Sequence, residues 1–157
     1  MQNYKQWYIA GLVVFIITAI FSVGYHNHDE HFQILEFANY KMGLSPAADL
    51  PWELNARIRP ALQPFIVWCM GNTLQSVGLY NPFTLTLILR LMMALLYWWA
   101  IVRLVKILLP DFQHTRGKSL WVMSVLLLWF VPYTSVRFSA EAFAGMLFCF
   151  AAGTILQ

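Results

Sequence analysis

Charged residues are scarce in this chain of 157 residues, where Asp, Glu, Lys and Arg together make up only 11% of the sequence. Soluble domains usually carry about 25% charged residues. Hydrophobic residues reach 60%, so most of the surface must face something other than water. The shortage of charge excludes an ordinary soluble domain and favours an all-α integral membrane protein.

Cysteine and clusters of positive charge are also scarce. The two cysteines, Cys69 and Cys149, lie inside apolar segments, where inert buried thiols are the rule, and they exclude a disulfide framework. The formal net charge is only +3. No run of Lys and Arg of the kind that follows a phosphate backbone is present. A nucleic-acid partner is therefore not expected, and membrane lipids are.

Long apolar segments are abundant by contrast. Residues 7–24 carry no charge and would form about 27 Å of helix at ~1.5 Å per residue, with an aromatic belt before them. This run is longer than the apolar region of a signal peptide, so we interpret it as an uncleaved anchor. The other apolar segments predict transmembrane helices at 83–109, 119–133 and 140–157.

The positive charges predict the topology. Four basic residues between positions 103 and 118 flank one loop, which should be cytoplasmic. This holds if the polar-interrupted segment 61–79 lies in the outer interface or re-enters. Residues 25–82 then form a large extracytoplasmic loop, on the same side as the turn around position 137. We expect one multi-pass domain over 1–157, the amino-terminal part of a longer protein, in a bacterial inner membrane rather than the endoplasmic reticulum membrane.

The outer loop contains one clear helical pattern. Residues 29–42 place apolar side chains at helical spacing, and Gly43 fits a helix stop. Asn27 with Glu30 resembles a capping box, which would start this helix at Asn27. The high apolar content suggests that the helix lies on the membrane surface. A second short polar segment at 52–59 is closed by Pro60.

The start of this helix concentrates proton-handling groups. Asp29 and Glu30 could simply be stabilised there by free backbone N–H groups. Alternatively, a carboxylate at the membrane edge could accept a proton from an attacking sugar hydroxyl. Successive helix positions point about 100° apart, so the two carboxylates would not share one role. His28 and His31 could face one metal ion, but no established zinc spacing is matched, and we expect no metal.

Several basic residues could contact an anionic substrate. Arg57 and Arg59 could hold a phosphate, or could only attract anionic headgroups. Arg90 lies inside an apolar helix, where an arginine marks a site unless it extends toward the interface. Arg137 and Glu141 are spaced as an ion pair on one helix face, although a substrate role is the alternative.

The motifs together resemble one family of membrane enzymes. His28-Asp29-Glu30-His31-Phe32-Gln33 after a first transmembrane helix resembles the His-Pro-Asp-Glu-x-Phe-Gln signature of the polyprenyl-phosphate-mannose-dependent mannosyltransferases. These enzymes build N-glycan precursors and GPI anchors and belong to the GT-C superfamily. Further similar stretches follow in order: Leu50-Pro51-Trp52-Glu53, Ile58-Arg59-Pro60, Arg90-Leu91 and Ser135 to Glu141. Asn27-His28 stands where the family has His-Pro, and Leu89 precedes Arg90 where Pro is usual.

The resemblance implies both a fold and an activity. It implies a GT-C-like bundle of transmembrane helices with a large extracytoplasmic first loop that carries membrane-surface helices. It implies Asp29 as the catalytic carboxylate, with Glu30 beside it, a polyprenyl-phosphate sugar donor, a glycan or lipid-linked acceptor, and an inverting transfer. The candidate substrate-binding residues are His28, Gln33, Glu53, Arg57, Arg59, Arg90, Arg137 and Glu141.

Two other functional classes fit parts of the pattern. A non-enzymatic membrane subunit or lipid-flipping partner could use the outer loop only to cap its helices. A metal-binding outer loop could use the histidines. The resemblance favours the glycosyltransferase, and we expect residues 1–157 alone to be inactive, because a full family member is about three times as long.

Overall fold

The computed structural model describes residues 4–28 and 30–157. Regular structure in these residues is entirely helical, as the predicted all-α fold requires, and no strand occurs among them. The chain divides into two compact units. We call the first helix together with Arg90–Gln157 the bundle unit, and Val23–Leu89 the loop unit.

The helices of the bundle unit follow the apolar segments of the sequence. They are α1 (Lys5–Phe21), the second part of α5 (Pro82–Leu108), α6 (Thr115–Leu127), α7 (Phe130–Ser135) and α8 (Ala140–Ile155), with a short 3₁₀ turn at Leu109–Asp111. The loop unit contains a π-helical turn (Glu30–Leu35) that continues into α2 (Glu36–Lys41), a 3₁₀ turn (Ala47–Asp49), α3 (Glu53–Ala56), α4 (Leu62–Ser76) and the beginning of α5.

Two hydrogen bonds show that α1 and α5 run in opposite directions. The indole Nε1 of Trp98 donates to the backbone carbonyl of Tyr8 over 3.0 Å, near the start of α1. The guanidinium of Arg90 donates to the carbonyl of Ser22, directly after the end of α1. Since position 90 precedes position 98 in α5, the two helices are antiparallel.

Glycines bring other helices of this unit close together. A methyl group on Gly145 of α8 would lie 2.7 Å from the hydroxyl of Tyr97, and one on Gly153 would lie 3.4 Å from Ile107. These pairs advance together along the sequence, so α8 runs in the same direction as this part of α5. The buried core of the unit consists of Phe15, Ala19, Ala94, Ile101, Val102, Val105, Val122, Leu126 and Val136.

The predicted helix at 119–133 is not continuous, which corrects the sequence-based expectation. Helix α6 ends at Leu127, and Leu128 leaves the helical conformation with φ −59° and ψ 127°. A continuous helix would press the ring of Pro132 against the carbonyl four residues earlier, which belongs to Leu128. The chain therefore opens at that carbonyl and restarts as α7, where Pro132 falls in the first turn.

By length and composition, Pro82–Asp111 is the one helical segment of residues 4–28 and 30–157 that could cross a bilayer. It has 30 residues and agrees closely with the helix predicted at 83–109. Lys5–Phe21 and Ala140–Ile155 are apolar but shorter. The helices expected at 7–24 and 140–157 thus form, while the multi-span arrangement and the large outer loop remain predictions.

In the loop unit, α4 packs against α2 and the π-helical turn before it. Ile34, Phe37, Ala38 and Val67 are buried. The predicted helix at 29–42 is present over Glu30–Lys41, although its first six residues form the wider π-helical turn. Gly43 follows with φ +76°, the left-handed conformation typical of a glycine after a helix end, as the sequence predicted.

Candidate functional site

The predicted catalytic residue Asp29 lies outside the described residues, so its role stays a prediction. All the other candidate residues are described. Those of the loop unit are Glu30, His28, Gln33, Glu53, Arg57 and Arg59, and those of the bundle unit are Arg90, Arg137 and Glu141.

Glu30 forms hydrogen bonds with the backbone of the residues that precede the π-helical turn. Its Oε1 accepts hydrogen bonds from the backbone N–H groups of His26 and Asn27, each over 3.3 Å. The Glu30 backbone N–H donates to the carbonyl of Asn27 over 3.1 Å. The residue is buried, with 9% exposure. The side-chain bond back to Asn27 is the glutamate half of the predicted capping box, and this half is confirmed.

Next to this turn lies a cluster of four rings. Tyr25 stacks on His31 at a centroid distance of 5.6 Å, and His28 stacks on Phe32 at 6.3 Å. His31 and Phe32 meet edge to face at 5.0 Å. Tyr25 and Phe32 remain 48% and 41% exposed. The histidines thus form part of a partly exposed aromatic surface.

A second group centres on Glu36, to which the sequence assigned no role. His31 Nε2 lies 3.4 Å from Glu36 Oε1, an ion-pair distance when the imidazole is protonated. Ser45 Oγ donates to Glu36 Oε2 over 2.8 Å, and Asn39 Nδ2 donates to Oε1 over 3.3 Å. The hydroxyl of Tyr80 donates to the side-chain oxygen of Asn39 over 3.4 Å. Burial raises the pKa of Tyr80 above its ordinary 10.0, and the negative charge of Glu36 raises it further.

The third group joins three residues that the sequence predicted to bind substrate. Glu53 Oε1 accepts from Nε2 of Gln33 over 3.3 Å and from the guanidinium of Arg59 over 2.8 Å. The carboxylate side chain is only 13% exposed, whereas that of Arg59 is 37% exposed. Glu53 therefore links the helix that follows position 29 to the segment after α3.

Arg57 is placed differently from Arg59. It ends α3 in a left-handed conformation with φ 53° and is exposed. A residue other than glycine, asparagine or aspartate is uncommon in this conformation. The guanidinium of Arg59, by contrast, is bonded to Glu53, and a joint hold of the two arginines on one phosphate stays a prediction.

In the bundle unit, Arg90 acts on a helix end. Its hydrogen bond to the carbonyl of Ser22 satisfies a backbone acceptor at the carboxyl terminus of α1. A positive charge at that end also stabilises the helix dipole. The structure thus gives Arg90 a structural role beside the substrate role predicted from its depth in α5.

Arg137 and Glu141 do not share a helix face, which corrects the predicted ion pair on one helix. Ser139 is the N-cap of α8, and its side chain accepts from the N–H of Ala142 over 3.2 Å. Arg137 therefore lies before the helix, buried at 5% exposure, with its guanidinium 5.3 Å from the centre of the Tyr133 ring. Glu141 is exposed in the first turn of α8, where a carboxylate suits the helix dipole.

Metal ligands are not grouped in the part of the chain that the structure describes. No three His, Cys, Asp or Glu side chains there lie close enough together to hold one ion. His28 and His31 of the loop unit instead contact aromatic rings, and His31 also contacts Glu36.

Comparison with known proteins gives the class of this chain. A sequence model of the Alg9-like mannosyltransferase family matches residues 6–157. No curated protein and no solved structure matches the chain. The match covers nearly all of the sequence, so the chain belongs to the Alg9-like mannosyltransferase family, which has the GT-C fold. The resemblance seen in the motifs is thereby confirmed, and the chain is of the membrane glycosyltransferase class.

Proposed function

We propose that this chain belongs to an enzyme that transfers mannose from a polyprenyl phosphate to a glycan or lipid-linked acceptor. The transfer takes place on the extracytoplasmic side of the membrane, with Asp29 as general base. The observation that carries the proposal is the family match over residues 6–157, which includes the signature stretch at 28–33. The hydrogen bonds from the backbone of His26 and Asn27 to Glu30 of that stretch also support it.

The proposed reaction is a single displacement. The acceptor hydroxyl oxygen attacks the anomeric carbon of the sugar, and the bond from that carbon to the phosphate oxygen breaks. Asp29 takes the hydroxyl proton, and the polyprenyl phosphate leaves with the bonding electron pair. Attack opposite to the leaving group inverts the configuration. A cation beside the phosphate stabilises the negative charge that develops there.

The structure helps to rank the candidate cations for that role. Arg57 and Arg59 are both exposed, but the guanidinium of Arg59 is already bonded to Glu53. We therefore propose Arg57 as the residue of the loop unit that contacts the donor phosphate, and Glu53 and Gln33 as the support of Arg59. Arg90, Arg137 and Glu141 stay candidates from the bundle unit, and His28 stays a candidate for the acceptor.

Helix α4 supports the proposed topology. Its 15 residues would span about 22 Å at ~1.5 Å per residue, less than the ~30 Å of a hydrocarbon core. Leu62, Phe65 and Trp68 recur at helical spacing and are 56%, 57% and 37% exposed. An exposed apolar face on a short helix suits the membrane interface. This placement keeps residues 25–82 on one side, which we propose to be the outside of a bacterial inner membrane.

The proposal is tested by sugar transfer from labelled polyprenyl-phosphate mannose in membranes that contain the complete protein. Asp29→Asn should lower the rate by about 10² to 10⁴-fold, the usual contribution of a general base. Asp49→Asn is the matched control, because Asp49 is an exposed aspartate of the same loop unit. We expect it to transfer at the wild-type rate, and we expect residues 1–157 alone to be inactive. Wild-type turnover by Asp29→Asn would contradict the proposed function.

A further inference from the structure

We propose that Glu30 is a positioning residue that ties together the residues on either side of Asp29 in the sequence and takes no part in proton transfer. This inference rests on the proposed function, since it assumes that the residue to be positioned is the base. It assigns different roles to two adjacent carboxylates that the sequence presents as a pair.

The hydrogen bonds of Glu30 join two ends of one short segment. A single carboxylate oxygen, Oε1, accepts from two successive backbone N–H groups, those of His26 and Asn27. The backbone N–H of Glu30 in turn reaches the carbonyl of Asn27. Residues 26–27 and residue 30 are therefore tied together by side chain and main chain, and position 29 lies in the segment between them.

The surroundings of Glu30 fit support better than catalysis. Its side chain is buried, with the residue 9% exposed, and Oε1 already serves two amide donors. A general base must instead offer an oxygen to the substrate hydroxyl, within hydrogen-bond reach. The carboxylate of Glu30 continues the pattern of a capping box, where the glutamate supports the backbone before a helix.

Replacement by glutamine separates support from catalysis. The amide oxygen of Gln accepts the same two backbone bonds, although more weakly, but an amide cannot act as a general base. If Glu30 positions the turn, Glu30→Gln should keep at least about a third of the wild-type kcat, because only the strength of these bonds changes. Glu30→Ala removes them, and the loosened turn should lower kcat by about 10 to 10²-fold with little change in KM.

The experiment measures mannose transfer by the complete protein in membranes for the wild type, Glu30→Gln, Glu30→Ala and Asp29→Asn. Hydrogen exchange at the amides of His26 and Asn27 is followed in the same samples. We expect Glu30→Ala to speed this exchange and Glu30→Gln to leave it slow. The exchange measurement does not depend on turnover, so it still reports on the turn when a variant is inactive.

The possible outcomes are distinct. A Glu30→Gln variant that is as inactive as Asp29→Asn, with slow exchange, would make Glu30 catalytic and overturn the inference. Wild-type kcat and slow exchange in Glu30→Ala would also overturn it, because the bonds would then support nothing. Full activity in Asp29→Asn would refute the proposed function instead, whatever the two Glu30 variants do. Rescue by glutamine together with faster exchange only in the alanine variant supports the positioning role.

Discussion

The close contact between Gly145 and Tyr97 predicts that the effect of Gly145→Ala on stability depends on residue 97. The substitution should destabilise the protein with Tyr at position 97 and stabilise it with Phe. A methyl group on Gly145 would lie 2.7 Å from the Tyr97 hydroxyl oxygen, while the next ring atoms are 3.6 and 3.8 Å away. Only the hydroxyl is therefore too close, because carbon atoms in ordinary contact lie about 3.5–4.0 Å apart. Gly145→Ala should clash in the wild type and fit without strain when Tyr97 is replaced by Phe.

The magnitudes follow from two opposing terms. Overpacking a close contact costs about 1–3 kcal/mol, while alanine is favoured over glycine within a helix by about 1 kcal/mol. Gly145→Ala should thus destabilise the wild type by about 0–2 kcal/mol. In the Tyr97→Phe protein only the favourable term remains, and the same change should stabilise by about 1 kcal/mol. The difference, about 1–3 kcal/mol, is the coupling energy of the pair.

The four proteins are the wild type, Gly145→Ala, Tyr97→Phe and the double variant. Their free energies of unfolding can be measured by titration with SDS in mixed micelles, followed by helical circular dichroism. Gly117→Ala is the control, since a methyl group there meets nothing within 4 Å in α6. It should show the propensity term without a clash and should not depend on residue 97. Equal destabilisation by Gly145→Ala with Tyr97 and with Phe at position 97 would refute the reasoning.

Three further predictions follow from individual contacts and from the proposed topology. Arg90→Met should lower the free energy of unfolding in the same assay by about 1.5–3 kcal/mol, because a charged donor is lost from the end of α1. Because the pKa of Tyr80 is raised in the folded protein, folding favours its neutral phenol. The stability that Tyr80 contributes is fully present below its ordinary pKa of 10.0 and is lost as the pH rises through the folded-state pKa. An alkaline titration of unfolding should show a larger loss in the wild type than in Tyr80→Phe. In intact cells, a cysteine at Ala47 should react with an impermeant thiol reagent and one at Gln113 should not; the reverse pattern would contradict the orientation.

The long helices could be predicted because apolar runs determine them. Helix α5 matches its expected range closely, and Gly43 follows α2 in the loop unit where the sequence predicts a helix stop. The break at Leu128 was also encoded, since a proline four residues later forbids a continuous helix. The helix predicted at 119–133 instead runs past Leu128 and includes the proline.

The side-chain contacts of the candidate site were harder to predict from the sequence. The bond from Glu30 to Asn27 was predicted because a capping box is local. The contact of Tyr80 with Asn39 joins positions 41 residues apart and depends on how α4 packs on α2, which no local pattern records. Ser139 offered a usable signal, because a serine before Ala-Glu-Ala is a typical N-cap and would have placed Arg137 outside the helix.

At Arg57 the left-handed backbone favours glycine for stability, whereas the proposed activity requires the arginine side chain. A residue with a Cβ atom pays about 1–2 kcal/mol in this conformation, whereas glycine adopts it without a steric penalty. If Arg57 contacts the donor phosphate as proposed, its side chain is retained against a folding disadvantage. A laboratory selection for heat-resistant variants alone would then favour glycine at this position and yield robust proteins with weakened donor binding. Selections on this scaffold should therefore include a turnover step.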